Sequence, residues 1–138
     1  MDDDRLTDYF ESSSHRGVLN ELTHRTKSGL PQCGDEIDLS LCVRDGRIKA
    51  VRFEAKGCVV SQAAAAMLCE WLEGKSWAEA SLLTAPQMLG LIGIPLTPGR
   101  IKCGLLAYTA WRQIVDGMGQ ESPGLSLPIV RDLTGDEK

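Results

Sequence analysis

Apolar positions along the chain change their period twice. Residues 3 to 12 place Leu6, Tyr9 and Phe10 on one stripe behind an acidic start, Asp2 to Asp4, which suits the positive end of a helix. A short helix is predicted there, and "SSSHRG" breaks it. The next stretch, "VLNELTHRTKSG", fits either a helical turn carrying Val18, Leu19 and Leu22 or a loop. From Glu36 the period is two. Ile37, Leu39, Leu41 and Val43 point one way and Asp38, Ser40, Cys42 and Arg44 the other, which predicts a half-buried strand. Asp45-Gly46 signals a hairpin turn, and "RIKAVRFEAKG" follows as a second strand with Ile48, Val51 and Phe53 as its apolar positions. A third strand is expected from the segment before Cys33.

After Gly57 the pattern turns helical. Ser61 is a candidate cap for "QAAAAMLCEWLE", and Gly74 closes that helix. Ser76 with Glu79, and Thr84 with Gln87, have capping-box spacing ahead of "WAEASLL" and "APQMLGLI". Thr97-Pro98 opens a last helix, predicted to run through Cys103 to Asp116 and to end at Gly117. The prolines of "ESPGLSLPIVRDLTGDEK" predict a loosely ordered tail over residues 121–138, which leaves residues 1–120 as a single domain. Strands first and helices after signal an α+β fold.

Composition narrows the function. The apolar fraction of 43% and the charged fraction of 25% are ordinary for a globular protein. A formal net charge of -4 argues against broad nucleic-acid binding through phosphates. No apolar run approaches the ~20 residues of a membrane helix. "MDDDRL" has no apolar core behind it, so no secretory signal is read. A cytosolic protein with neither a nucleic-acid nor a membrane partner is expected. There, five cysteines are an unlikely disulfide framework and are instead ligands, nucleophiles or core fillers.

Three of the five fall at element ends. Cys33 lies in the turn "PQCGDEI", Cys58 between the hairpin and a helix, and Cys103 after the proline-glycine entry of the last helix. Cys58 and Cys103 are both placed near helix N-termini, where unpaired N–H groups favour thiolate. Asp35 has the chemistry of a fourth ligand. Three thiolates and a carboxylate suit a tetrahedral zinc site or an iron–sulfur cluster, and the hard carboxylate makes such a cluster labile. Position alone leaves the three cysteines between this role and that of small buried hydrophobes. Cys69, among Met67, Leu68 and Leu72, is read as core. Cys42, on the polar strand face, is read as a partly exposed filler. His15 and His24 are read as solvated, and Trp71, Trp77 and Trp111 as core.

The motifs "PQCGDEI", "VRFEAKGCVVSQAAAAM", "LEGKSWAEA" and "RIKCGLLAYTAW" resemble, in order, those of the IscU, SufU and NifU N-terminal iron–sulfur cluster assembly scaffolds. The resemblance covers roughly residues 6 to 117. It implies a three-stranded antiparallel sheet packed against several helices. It also implies that Cys33, Asp35, Cys58 and Cys103 hold a transient [2Fe–2S] cluster or zinc. A pyridoxal-phosphate cysteine desulfurase would supply sulfane sulfur, with Cys33 and Cys103 as candidate persulfide acceptors, and apo iron–sulfur proteins would receive the cluster. The alternative it carries is a SufU-type, zinc-dependent sulfurtransferase.

Departures from the pattern bear on that choice. Lys102 stands before Cys103 where the IscU branch has histidine, as in the SufU branch, yet the interval from Cys58 to Cys103 is IscU-like in its shortness. A protonated lysine cannot ligate metal, but its charge is expected to favour the Cys103 thiolate. "LTPGRIK" replaces a Leu-Pro-Pro-Val-Lys docking segment, so a dedicated Hsp70 partner is not expected. The alanine run 63 to 66 is expected to alter helix surface more than site chemistry.

Overall fold

The computed structural model describes residues 4–30, 34–117 and 120–121. Helix α1 (Asp4–Glu11) is followed by strands β1 (His24–Leu30), β2 (Asp35–Arg44) and β3 (Arg47–Lys56). Helices α2 (Val59–Leu72), α3 (Trp77–Ala80), α4 (Ala85–Ile92), α5 (Pro98–Gly104) and α6 (Leu106–Val115) follow, and β4 (Gln120–Glu121) ends the described chain. The three long strands form an antiparallel sheet, in the α+β arrangement expected, and β4 adds two residues to the free edge of β1 in the order β3-β2-β1-β4. The tail expected to be loosely ordered, residues 121–138, lies outside the described residues except for Glu121. Asp2 and Asp3 lie outside them too.

The hairpin follows its turn chemistry. Asp45 and Gly46 both take positive φ, 55° and 73°, and this two-residue turn joins Arg44 to its partner Arg47. A register shift next to Cys42/Val43 leaves Lys49 unpaired. That extra residue explains how Ile48 and Val51, three apart, both lie fully buried with Phe53.

The segment at 18–23 is not helical. Residues 15–17 run beside the free edge of β3, with Phe53 N–H on His15 O and Gly17 N–H on Phe53 O. The chain then crosses the outer sheet face, where Leu19 N–H reaches Ser40 Oγ, and enters β1 at the other side of β2. The reading of Cys42 is corrected on this face, where Arg44 Nε lies 3.4 Å from its sulfur. Cys42 is 7% exposed, covered on a face that its polar neighbours marked as solvated. His24 is corrected as well. It sits half-buried on the inner side of β1, its ring 5.2 Å from that of Trp77, and burial lowers its pKa to about 4. His15 is half-buried and meets Glu73 at 3.1 Å. Of the three tryptophans only Trp111 is fully buried, its indole N–H on Ala80 O; Trp71 and Trp77 are half-buried against the core.

The inner sheet face, with Ile37, Leu39, Leu41, Ile48, Val51 and Phe53, packs on α2 and α6. Helix α2 is central: α1, β3, α4, α5 and α6 all contact it. Ala63 to Ala66 are therefore all buried, not surface as expected, because small side chains let neighbours approach from every side. Ser76 and Thr84 cap α3 and α4 as predicted, Thr84 with Gln87 in a full capping box.

The last helix is not continuous. It breaks at Leu105 (φ −98°, ψ 1°) into α5 and α6. Gly104, just before the break, packs so closely that a Cβ there would lie 2.7 Å from Leu96 Cδ1 and 3.1 Å from Ile92 Cδ1. Cys103 is consequently in the last turn of the short α5, three residues before α6 begins at Leu106, and not near the start of one long helix as expected.

Candidate metal centre

Three elements meet where β2 begins and α2 begins. Asp35 opens β2, Cys58 precedes α2, and Cys103 comes from α5. One ligand atom from each lies within 4.8 Å of the others. Asp35 is 2% exposed and Cys103 4%, while Cys58 is half-buried. Cys33, two positions before Asp35 in sequence, lies outside the described residues. The expected Cys42 and Cys69 stand apart from this group; Cys69 is fully buried in the core, and burial raises its thiol strongly.

The cap of α2 is Cys58 itself, not Ser61. Its sulfur accepts the Ser61 N–H at 3.5 Å, so the thiol takes the place of the hydroxyl or carboxylate usual at an N-cap. Ser61 is thereby free to serve the site: its hydroxyl lies 3.1 Å from both Asp35 Oδ2 and Cys58 O. The Cys58 N–H donates to Asp35 Oδ1 at 3.3 Å, and Cys58 Sγ lies 3.5 Å from Asp35 Oδ2. Sequence reading missed this second role of Ser61. The signal was present, since cysteine three residues before serine has N-cap spacing with sulfur as acceptor.

Gly57 is the other residue missed. It holds φ +122°, and a Cβ there would lie 2.2 Å from Asp35 Oδ1 and 2.9 Å from Asp35 Cα. Only glycine fits on both counts, backbone conformation and space. The glycine immediately before Cys58 is thus what allows a buried carboxylate beside the thiol.

The three groups titrate apart. Burial works to raise Asp35, but Cys103, Ser61 and Cys58 donate hydrogen bonds that outweigh it, and the carboxyl stays below its usual range. Burial also works to raise Cys58; the Ser61 amide and hydroxyl and the Cys103 thiol outweigh it, and Cys58 lies below an ordinary thiol. Cys103 goes the other way. Burial, then donation toward Cys58 and Asp35, pushes it well up. Lys102 is exposed near the end of α5. Cys103 donates its thiol proton toward both Cys58 and Asp35. A cation that entered would displace that proton and find two thiolates and a carboxylate, a donor set that fits zinc or iron.

Residues 1–119 match the family described as "NifU-like N terminal domain". The chain belongs to the NifU-like N-terminal domain family. Among its relatives, "Iron-sulfur cluster assembly scaffold protein IscU" of Thermotoga maritima is 31% identical, over 82% of this chain and 91% of that protein. "Zinc-dependent sulfurtransferase SufU" of Bacillus subtilis is 27% identical, over 86% of this chain and 90% of that one. A SUF-system scaffold structure from Fervidobacterium islandicum AW-1 superposes with a TM-score of 0.70 at 22% identity, covering 81% of this chain and 94% of that one, and shows the shared fold. Among the described residues, no helix of this NifU-like chain is long and apolar enough to cross a membrane.

Proposed function

We propose that this chain is an iron–sulfur cluster assembly scaffold. It receives sulfane sulfur from a cysteine desulfurase, builds a [2Fe–2S] cluster on Cys33, Asp35, Cys58 and Cys103 with electrons from an external reductant that takes the sulfur to sulfide, and passes it to apo-proteins. The observation that carries the reading is the buried Asp35 carboxylate packed between the Cys58 and Cys103 sulfurs. A structural zinc site closes with thiolate and imidazole; a hard carboxylate in the set favours exchange over permanence. Sulfur arrives when an acceptor thiolate attacks the outer sulfur of the desulfurase persulfide. A new S–S bond forms and the desulfurase thiolate leaves. Cys33 and Cys103 are the candidate acceptors, because the Cys58 sulfur is engaged as the cap of α2. Cys103 must first lose its proton, and Cys58 and Asp35 are the adjacent groups able to take it.

The second reading is a zinc-dependent sulfurtransferase that relays persulfide without holding a cluster. Lys102 in the position before Cys103 favours it. Anaerobic reconstitution with iron(II), cysteine, a desulfurase and a thiol reductant tests the two. The scaffold reading expects a [2Fe–2S] absorption spectrum and delivery to an apo-ferredoxin. Tightly held zinc, no cluster, and stimulated desulfurase turnover would replace it with the second reading.

A further inference from the structure

The peptide that joins Gly57 to Cys58 has two polar ends. Its N–H donates to Asp35 Oδ1. Its carbonyl accepts Gln62 Nε2 at 2.9 Å. The other end of the Gln62 amide, Oε1, accepts Arg16 Nη1 at 3.0 Å. Arg16 only donates and a carbonyl only accepts, so the orientation of the Gln62 amide is fixed by its two partners. Arg16 is itself pinned. It donates to Ser12 O at 3.1 Å and Phe10 O at 2.6 Å and lies over the rings of Phe53 and Phe10, 5.0 and 5.9 Å from their centres.

We infer that Gln62 is a positioning residue for the donor set, held in its rotamer by Arg16. Gly57 is the one residue type with no side chain to restrain this peptide, and its φ of +122° is sustained by what the peptide ends bind. Gln62 holds the carbonyl end, so the N–H end stays aimed at Asp35. Asp35 in turn presents a fixed oxygen beside the two sulfurs. The relay ties residues 10–16, from the last turn of α1 onward, to the carboxylate that the proposed function makes decisive. The inference rests on that reading of Asp35 and the thiols as ligands.

The test is zinc affinity of the full chain, by competition with a chromophoric chelator, alongside the melting temperature of the metal-free protein. Gln62→Glu keeps an acceptor for Arg16 but turns the donor facing Gly57 O into a repelling oxygen. It is expected to lower zinc affinity about 10-fold, the lower end of the effect of losing an outer partner of a ligand, and to leave the metal-free melting temperature unchanged. Gln62→Met, similar in volume and free of polar contacts, is expected to weaken affinity as well. The ligand-field bands of the Co2+-substituted protein should shift in both variants, which a purely structural role would not cause. Wild-type affinity with an unshifted Co2+ spectrum overturns the relay, as does an affinity loss that only tracks a fall in melting temperature. Cys58→Ser separates the two ideas: zinc retained in that variant overturns the donor set itself, whereas zinc lost there but kept in Gln62→Glu and Gln62→Met overturns the relay alone.

Discussion

Cys58 and Cys103 face the same carboxylate from opposite ends of helices. Cys58 caps the N-terminus of the fourteen-residue α2, where a backbone N–H binds its sulfur. Cys103 lies in the last turn of the seven-residue α5, 4% exposed. The same side chain is therefore the more acidic thiol in one place and the more basic in the other. What distinguishes them is who donates to whom: the Ser61 amide and hydroxyl serve Cys58, whereas the buried Cys103 donates toward Cys58 and Asp35.

The strongest way to break the comparison is to remove the sulfurs. Cys33→Ser, Cys58→Ser and Cys103→Ser are each expected to abolish zinc and cluster binding, read by metal analysis after anaerobic loading. Cys42→Ser and Cys69→Ser, away from the site, are expected to keep it. Full binding in any of the first three would take that cysteine out of the set. Next in size is Gly57→Ala. Its backbone conformation alone costs about 1–3 kcal/mol for a residue with a side chain. The Cβ would also press on the Asp35 carboxylate, so a lowered melting temperature and loss of zinc are expected together. A variant that melts and binds as wild type would show that the turn relaxes freely.

The difference in acidity is sharpened by alkylation of metal-free protein across pH. Thiolate is the reactive form. Cys58, lowered, should reach its full rate below the pH at which an ordinary thiol does, and Cys103, raised, should still be gaining rate above it. Mass mapping of each site gives the two profiles; coincident profiles would erase the asymmetry. The smallest expected effect is Asp35→Ala, which removes the hard ligand and should slow the decay of a reconstituted cluster in air several-fold. Decay as fast as wild type would deny the carboxylate its part in release.

The parts legible in the sequence were those set by neighbours along the chain. Asp45-Gly46 and the alternation from Ile37 to Val43 gave the hairpin; Ser76 with Glu79 and Thr84 with Gln87 gave two helix starts. Cys42 was misread because polar neighbours along the strand do not report its cover: Arg44 lies against its sulfur and pairs with Glu21 from an aperiodic stretch. The break at Leu105 was missed because nothing local forbids a helix there; tight packing of Gly104 on Leu96 and Ile92 accompanies it. That break puts Cys103 in the last turn of a short helix, where burial and its donation toward Cys58 and Asp35 push it up. At the centre, the motif resemblance named the right neighbourhood, while the reasons for Gly57 and Ser61 needed the carboxylate in place.

The Asp45-Gly46 turn stands at the opposite end of β2 from Asp35. Ten residues of strand separate them, roughly 30 Å at the rise of an antiparallel strand. Asp45 is exposed, and the turn is anchored from beneath by the Trp77 N–H on Gly46 O. A tether placed there would present the thiols outward and leave them open to a visiting protein. The same spot would carry a dye whose distance to a bound metal is fixed by a rigid strand, so that quenching would report loading at the site without touching it.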